Sequence, residues 1–184
     1  QSSGAPVAVS MNVTEIKDLL PSGSAGVNAV SEPQETLAFA GVVNRFENIH
    51  TVEEEDAHHN DEYPATVRLM SFTESATATV VGLTKKGTER DLAEVSLEPG
   101  IVVDTSLETL PADVQAIVVR STEAVVGGLK TSVHTGSSHD FTWMSPASIF
   151  EPEQPAHIAT VKDATPTIVN LDSADTTVTI TDSS

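Results

Sequence analysis

The chain has 184 residues and a mass of 19.3 kDa, with 27 acidic residues against 9 Lys and Arg, a net charge of −18 and no cysteine. That balance excludes a phosphate-tracking nucleic-acid binder, which recruits Lys and Arg through counterion release. The missing cysteines exclude disulfides, iron–sulfur clusters, thiolate zinc sites and a cysteine nucleophile. Apolar runs of about half a dozen residues are far short of the ~20 needed for a membrane-spanning helix.

The chain opens on Gln1-Ser2-Ser3-Gly4-Ala5-Pro6, a small, polar stretch of the kind left after removal of an export signal. Asn12-Val13-Thr14 has the form of a glycosylation acceptor, a triplet that also arises by chance. The best helical segment is Thr14–Leu20, with Thr14 as N-cap and Pro21 as the stop, one or two turns long. Everything after it reads as β. There are 23 valines and 22 threonines, and branching at Cβ handicaps helices while suiting a pleated surface.

Strand-length runs are expected at Thr77–Leu83, Leu92–Leu97, Ile101–Leu107, Gln115–Arg120, Ala124–Val133 and Thr176–Thr181. Lys85-Lys86-Gly87 predicts a hairpin with Gly87 at positive φ, and Glu98-Pro99-Gly100 predicts a type II turn. Gly127-Gly128 inside a strand implies a bulge or a close backbone approach.

Two stretches look alike, Val9–Val43 and Val95–Leu129. Leu20-Pro21 and Leu110-Pro111, and likewise Ser31 and Ser121, are offset by 90 residues, while Ala65-Thr66-Val67 recurs as Ala159-Thr160-Val161. A unit of about 90 residues suits an immunoglobulin-like β-sandwich; a propeller-like arrangement or a single larger sandwich are the alternatives. The expected division is a complete unit over 65–155 and a second unit assembled from 5–50 plus 157–184, with 47–63 as an acidic, His-rich loop. Partial units of a longer array would give the same pattern.

The run VSLEPGIVVDTSLETLPADVQAIVVRSTEAVVGGL, followed by Asp140-Phe141-Thr142-Trp143, resembles an uncharacterised family of secreted actinobacterial proteins, domain-of-unknown-function family 5719, over residues 94–147. In that family a Pro-Gly turn and a valine-rich strand precede an Asp-x-x-Trp stretch, often in repeated copies. Glu123-Ala124-Val125 replaces the usual proline before valine, and the N-terminal copy has neither the Pro-Gly turn nor the tryptophan. The resemblance implies an exported, cell-envelope protein and brings no catalytic residues.

The segment Glu47–Tyr63 holds His50, His58 and His59 beside Glu54 and Asp56, residue types that suit a divalent cation. No HExxH or HxH spacing imposes a geometry, so a solvated loop of mutually repelling charges is the competing reading. Asp172, Asp175 and Asp182 offer oxygens for calcium but lack an EF-hand pattern, which makes turn formers of them equally well. Ser137-Ser138-His139-Asp140 has the residue types of a hydrolytic triad, yet consecutive residues do not converge on one reacting atom. Trp143, the one tryptophan, suits either the core or a sugar-stacking platform. The sequence therefore points to a secreted, non-enzymatic structural or interaction module of the cell envelope. An envelope protein or a glycan is the expected partner, no cofactor is implied beyond a divalent cation, and oligomeric state is left open. The runner-up function is a carbohydrate- or metal-binding module using Trp143 or the His/Glu-rich loop.

Overall fold

The computed structural model describes residues 10–17, 20–28, 32–42, 45–47, 64–107, 110–111, 113–135, 138–150, 153, 167–172 and 174–180. Ten strands follow in chain order: β1 (Ser10–Lys17), β2 (Leu20–Asn28), β3 (Gln34–Ala40), β4 (Arg45–Glu47), β5 (Ala65–Ser71), β6 (Ala76–Thr84), β7 (Glu89–Leu97), β8 (Val103–Leu107), β9 (Val114–Thr135) and β10 (Ser138–Met144). No helix occurs among the described residues, so none there is long and apolar enough to cross a membrane.

The expected helix at Thr14–Leu20 is instead the end of β1 and the start of β2, a two-stranded antiparallel ribbon with Lys17 opposite Leu20. Seven residues cannot stabilise an isolated helix, whereas β2 offers this segment an antiparallel partner, with a register shift between Glu15 and Ile16. Pro21 sits within that ribbon, where an edge position tolerates a missing N–H.

The remaining strands hang on β9, which is 22 residues long. Along one edge it pairs with β6 over residues 114–121, then β5 over 125–130, then β4 over 133–135. The other edge takes β3 and then β10. Beyond β6 lies β7, and beyond β5 lies β8. Every pairing is antiparallel except that of β4 with β9. The two runs expected at Gln115–Arg120 and Ala124–Val133 are thus one strand. Between them Thr122 Oγ1 accepts a hydrogen bond from the Thr77 N–H at 3.0 Å, so a side chain serves the β6 backbone where that ladder runs out.

The sheet curls until β7 and β8, its two ends, touch. Gly100 N–H donates to Ser71 O at 2.7 Å, tying the turn after β7 to the end of β5. Alternation places Val67 and Leu69, Ala78 and Val80, Val95 and Leu97, Leu37 and Phe39, and Ile117, Val119, Val125 and Leu129 on the concave face. These close on themselves as one core. Burial of a Val, Leu, Ile or Phe side chain contributes roughly 1.5–3 kcal/mol, so this single face dominates the stability.

Both expected turns are present. Gly87 adopts φ 77° between β6 and β7, and Gly100 adopts φ 73° with Ile101 N–H donating to Glu98 O at 3.1 Å. The ninety-residue repeat is not a repeat of structure among the described residues. β1 pairs with β2, whereas its counterpart β8 pairs with β5. β3 and its counterpart in β9 lie in the same sheet and pair with one another. Leu37 and Phe39 enter the same core as β5–β9.

Residues 175–180 carry no ladder and are exposed, so the strand expected at Thr176–Thr181 is unpaired over its described part. Residue 167 passes close to the end of β3. A Cβ added to Gly41 would lie 3.3 Å from Thr167 Oγ1. Most of 157–184 lies outside the described residues.

Candidate functional site

The outer face of β8, β5, β9 and β10 carries the chemistry. Strand alternation puts Asp104, Arg68, Gly128, Lys130, Phe141 and Trp143 on it, opposite the core-facing Val67, Leu69, Leu129 and Met144. Arg68 on β5 faces Asp104 on β8 and Gly128 on β9. Its Nε donates to Asp104 Oδ1 and its Nη2 to Oδ2, both at 2.7 Å. The guanidinium lies 5.0 Å from the centroid of the Trp143 ring. Carboxylate, guanidinium and indole therefore form a line of contacts over β8, β5, β9 and β10, diagonal to the ladder because Trp143 is opposite Lys130 and Arg68 opposite Gly128.

Gly128 lies beneath the indole. A Cβ there would stand 3.5 Å from Trp143 Cε3 and from Met144 O, so the indole rests against bare backbone. Gly127 has a different reason. A Cβ on it would come within 2.6 Å of Arg68 O and 2.7 Å of Leu69 Cδ2, on the core side. The paired glycines thus mark a close approach, and the β9 register with β5 continues through them without a shift.

A second cation–aromatic contact lies beside the first: Lys130 Nζ is 4.8 Å from the Phe141 ring centroid. Cation–π contacts of this kind contribute about 0.5–1 kcal/mol where exposed. Arg68 holds the Asp104 carboxyl below the usual carboxylate range, chiefly through its hydrogen bonds, and Asp104 raises the guanidinium in turn. Arg120 acts in the same way on Glu89, to which it donates two hydrogen bonds on the other half of the sheet.

The sequence candidates divide unevenly. Trp143 is half-buried and belongs to the outer face, not to the core. His50, His58, His59, Glu54 and Asp56 lie outside the described residues, as does Asp182. Asp172 is used locally: its N–H donates to Asn170 Oδ1 at 3.1 Å, and its Oδ1 accepts from Ala174 N–H at 3.2 Å. Asp175 is exposed. Ser138, His139 and Asp140 lie in sequence along β10, and Asp140 Oδ1 accepts from the Phe141 N–H at 2.8 Å. Among the described residues no three His, Asp or Glu gather as a metal-binding group. Sequence reasoning missed Arg68 and Asp104, which lie 75 and 39 residues before Trp143. The small residue at Gly128 was the one local signal that a bulky neighbour crosses the strand.

A crystal structure from Thermotoga maritima, entitled "Crystal Structure of Thermotoga maritima 1070", aligns with a TM-score of 0.47 at 14% identity, covering 62% of this chain and 94% of that one. No curated protein matches the sequence. The family model, by contrast, spans residues 1–184, and the chain belongs to the family of unknown function DUF5719.

Proposed function

We propose that the protein is an exported, non-enzymatic interaction module of the cell envelope, and that it engages an envelope glycan through the outer face around Trp143. The observation carrying this reading is the position of the one tryptophan. A bulky aromatic normally joins the core, yet here it lies across Gly128 on the outer face, beside a guanidinium and a carboxylate fixed by each other. Such a surface offers what a pyranose uses: an apolar plane, with directed donors and acceptors at its rim. The curled sheet serves as the rigid platform, in the manner of an immunoglobulin-like sandwich, and its loops are free to vary.

Because Trp143 is the one tryptophan, its fluorescence reports directly on the site. Titration with solubilised envelope polysaccharide is expected to shift its emission. Trp143→Ala should then lower the affinity, followed by calorimetry, by about 2 kcal/mol or more, as for other aromatic anchors. Equal affinity of the wild type and the Trp143→Ala variant would remove the reading. Salt separates it from capture of a basic protein by the acidic field, since that attraction fades as ionic strength rises.

A further inference from the structure

We infer that the Trp143 surface selects neutral sugars over anionic ones, and that Asp104 sets this preference by occupying the donor fork of Arg68. The inference rests on the glycan reading above and names the class of glycan. A guanidinium beside an indole suits a uronate or a phosphate, because its paired N–H groups match two oxygens of an anion. Here Nε and Nη2 already donate at 2.7 Å to the two oxygens of Asp104. That edge of the fork is closed.

Arg68 has five N–H donors, and those left over can serve a sugar hydroxyl, which brings no charge. A carboxylate arriving at the same guanidinium instead meets Asp104 across it, and juxtaposed like charges select against the wrong partner. Both side chains keep nearly half of their surface in solvent, so a ligand lying on Trp143 reaches them. Lys130 does not take over the role of Arg68. It is opposite Trp143, and its ammonium lies over Phe141, on the side away from Gly128 and hence from Arg68. Ser106 is exposed on β8, in register with Trp143 through Thr66 and Lys130, and adds an uncharged hydroxyl to the same face. The net charge of −18 also repels anions, but over distances that salt screens, whereas the Asp104 contact is local.

The test uses the full chain and the uronic-acid fraction of envelope polysaccharide, before and after carbodiimide–borohydride reduction of its carboxyls to hydroxymethyl groups. The two forms share linkage and stereochemistry and differ in charge alone. Affinity is read from Trp143 emission and by calorimetry in about 0.5 M salt, where long-range repulsion is screened. The wild type should bind the reduced form at least about tenfold more tightly, a modest demand for local charge exclusion. Asp104→Asn should move the ratio of the two affinities toward the unreduced form by a similar factor. Asp113→Asn removes the same charge beside Arg90, away from the indole, and should leave the ratio unchanged. No tighter binding after reduction, no change of ratio in Asp104→Asn, or an equal change in Asp113→Asn would each overturn the inference. Its failure is distinct from that of the glycan reading, which falls only if the neutral fraction of the polysaccharide also leaves Trp143 emission unmoved, and the inference then falls with it.

Discussion

The two halves of β9 are built to different rules. In the first half, Ala116, Ile117, Val118 and Val119 are all buried, so both faces of the strand are covered. In the second half the concave face still carries Val125 and Leu129 in the core, while the outer face turns to Gly128 and Lys130 beside Trp143 and Phe141. A strand covered on both faces reads as a continuous apolar run, and one covered on a single face alternates. AIVV gives way to GGLKTS within one uninterrupted strand. The first half is covered on both faces, whereas in the second half Lys130 and Trp143 stay partly exposed on the outer face, although Gly128, Ser132 and Phe141 beside them are buried.

The sharpest way to break this contrast is to place the same polar group on the outer face of the first half of β9 and on the outer face of β8, across β5 from the second half. Val118 is fully buried on that face in the first half. Val118→Asn should cost on the order of 3 kcal/mol, from lost apolar burial and an amide without partners. Ser106→Asn, exposed on the outer face of β8, should stay within about 0.5 kcal/mol. Urea denaturation of both variants measures the difference. Equal costs would mean that the outer face over the first half of β9 is no better covered than that of β8.

The adjacent glycines sharpen the comparison within the second half. Gly127→Ala forces a methyl against the Arg68 carbonyl oxygen, and backbone cannot step aside. The expected loss is about 1–3 kcal/mol. Gly128→Ala meets Trp143 and Met144 at ordinary contact distance and should cost well under 1 kcal/mol, with unchanged Trp143 emission. Two neighbouring substitutions of identical chemistry thus separate the tightly packed concave face from the more accommodating outer one.

What could be read from the sequence followed the range of the interactions. The turns at Gly87 and Gly100 depend on residues within four positions of one another, and both were legible. The strand runs at Thr77–Leu83 and Leu92–Leu97 were legible because alternation is local. The continuity of β9 was not. Ser121-Thr122-Glu123 looks like a break, and only the remote Thr77, by donating to Thr122, shows that the strand continues. The helix expected at Thr14–Leu20 failed for the same reason, because its ladder partner lies in β2. At the candidate site Trp143 stood out by its rarity, whereas Arg68 and Asp104 gain meaning only from pairing across β5 and β8. The likeness between Val9–Val43 and Val95–Leu129 is not matched by like pairings among the described residues, because strand pairing depends on partners remote in sequence.

The smallest expected effect concerns pH and isolates the row on the outer face. Asp104 titrates below its ordinary value when folded, because Arg68 donates to it. A carboxyl whose folded pKa is depressed stabilises the fold above its unfolded value, about 3.9, and loses that contribution as pH falls through the lower folded value. Both partners are nearly half exposed, so the pair should contribute at most about 1 kcal/mol. The melting difference between wild type and Asp104→Asn is therefore expected to be constant from pH 7 to 5 and to shrink in stronger acid as Asp104 becomes protonated in the fold. Trp143 emission should change over the same interval, because the guanidinium beside the indole loses its charged partner as Asp104 protonates. The Arg120–Glu89 pair on the first half also titrates in acid, but it lies away from the indole and is present in both proteins. A difference that persisted in acid would show that Asp104 acts through packing, and the electrostatic link between β8, β5 and β10 would then have no part in holding the outer face.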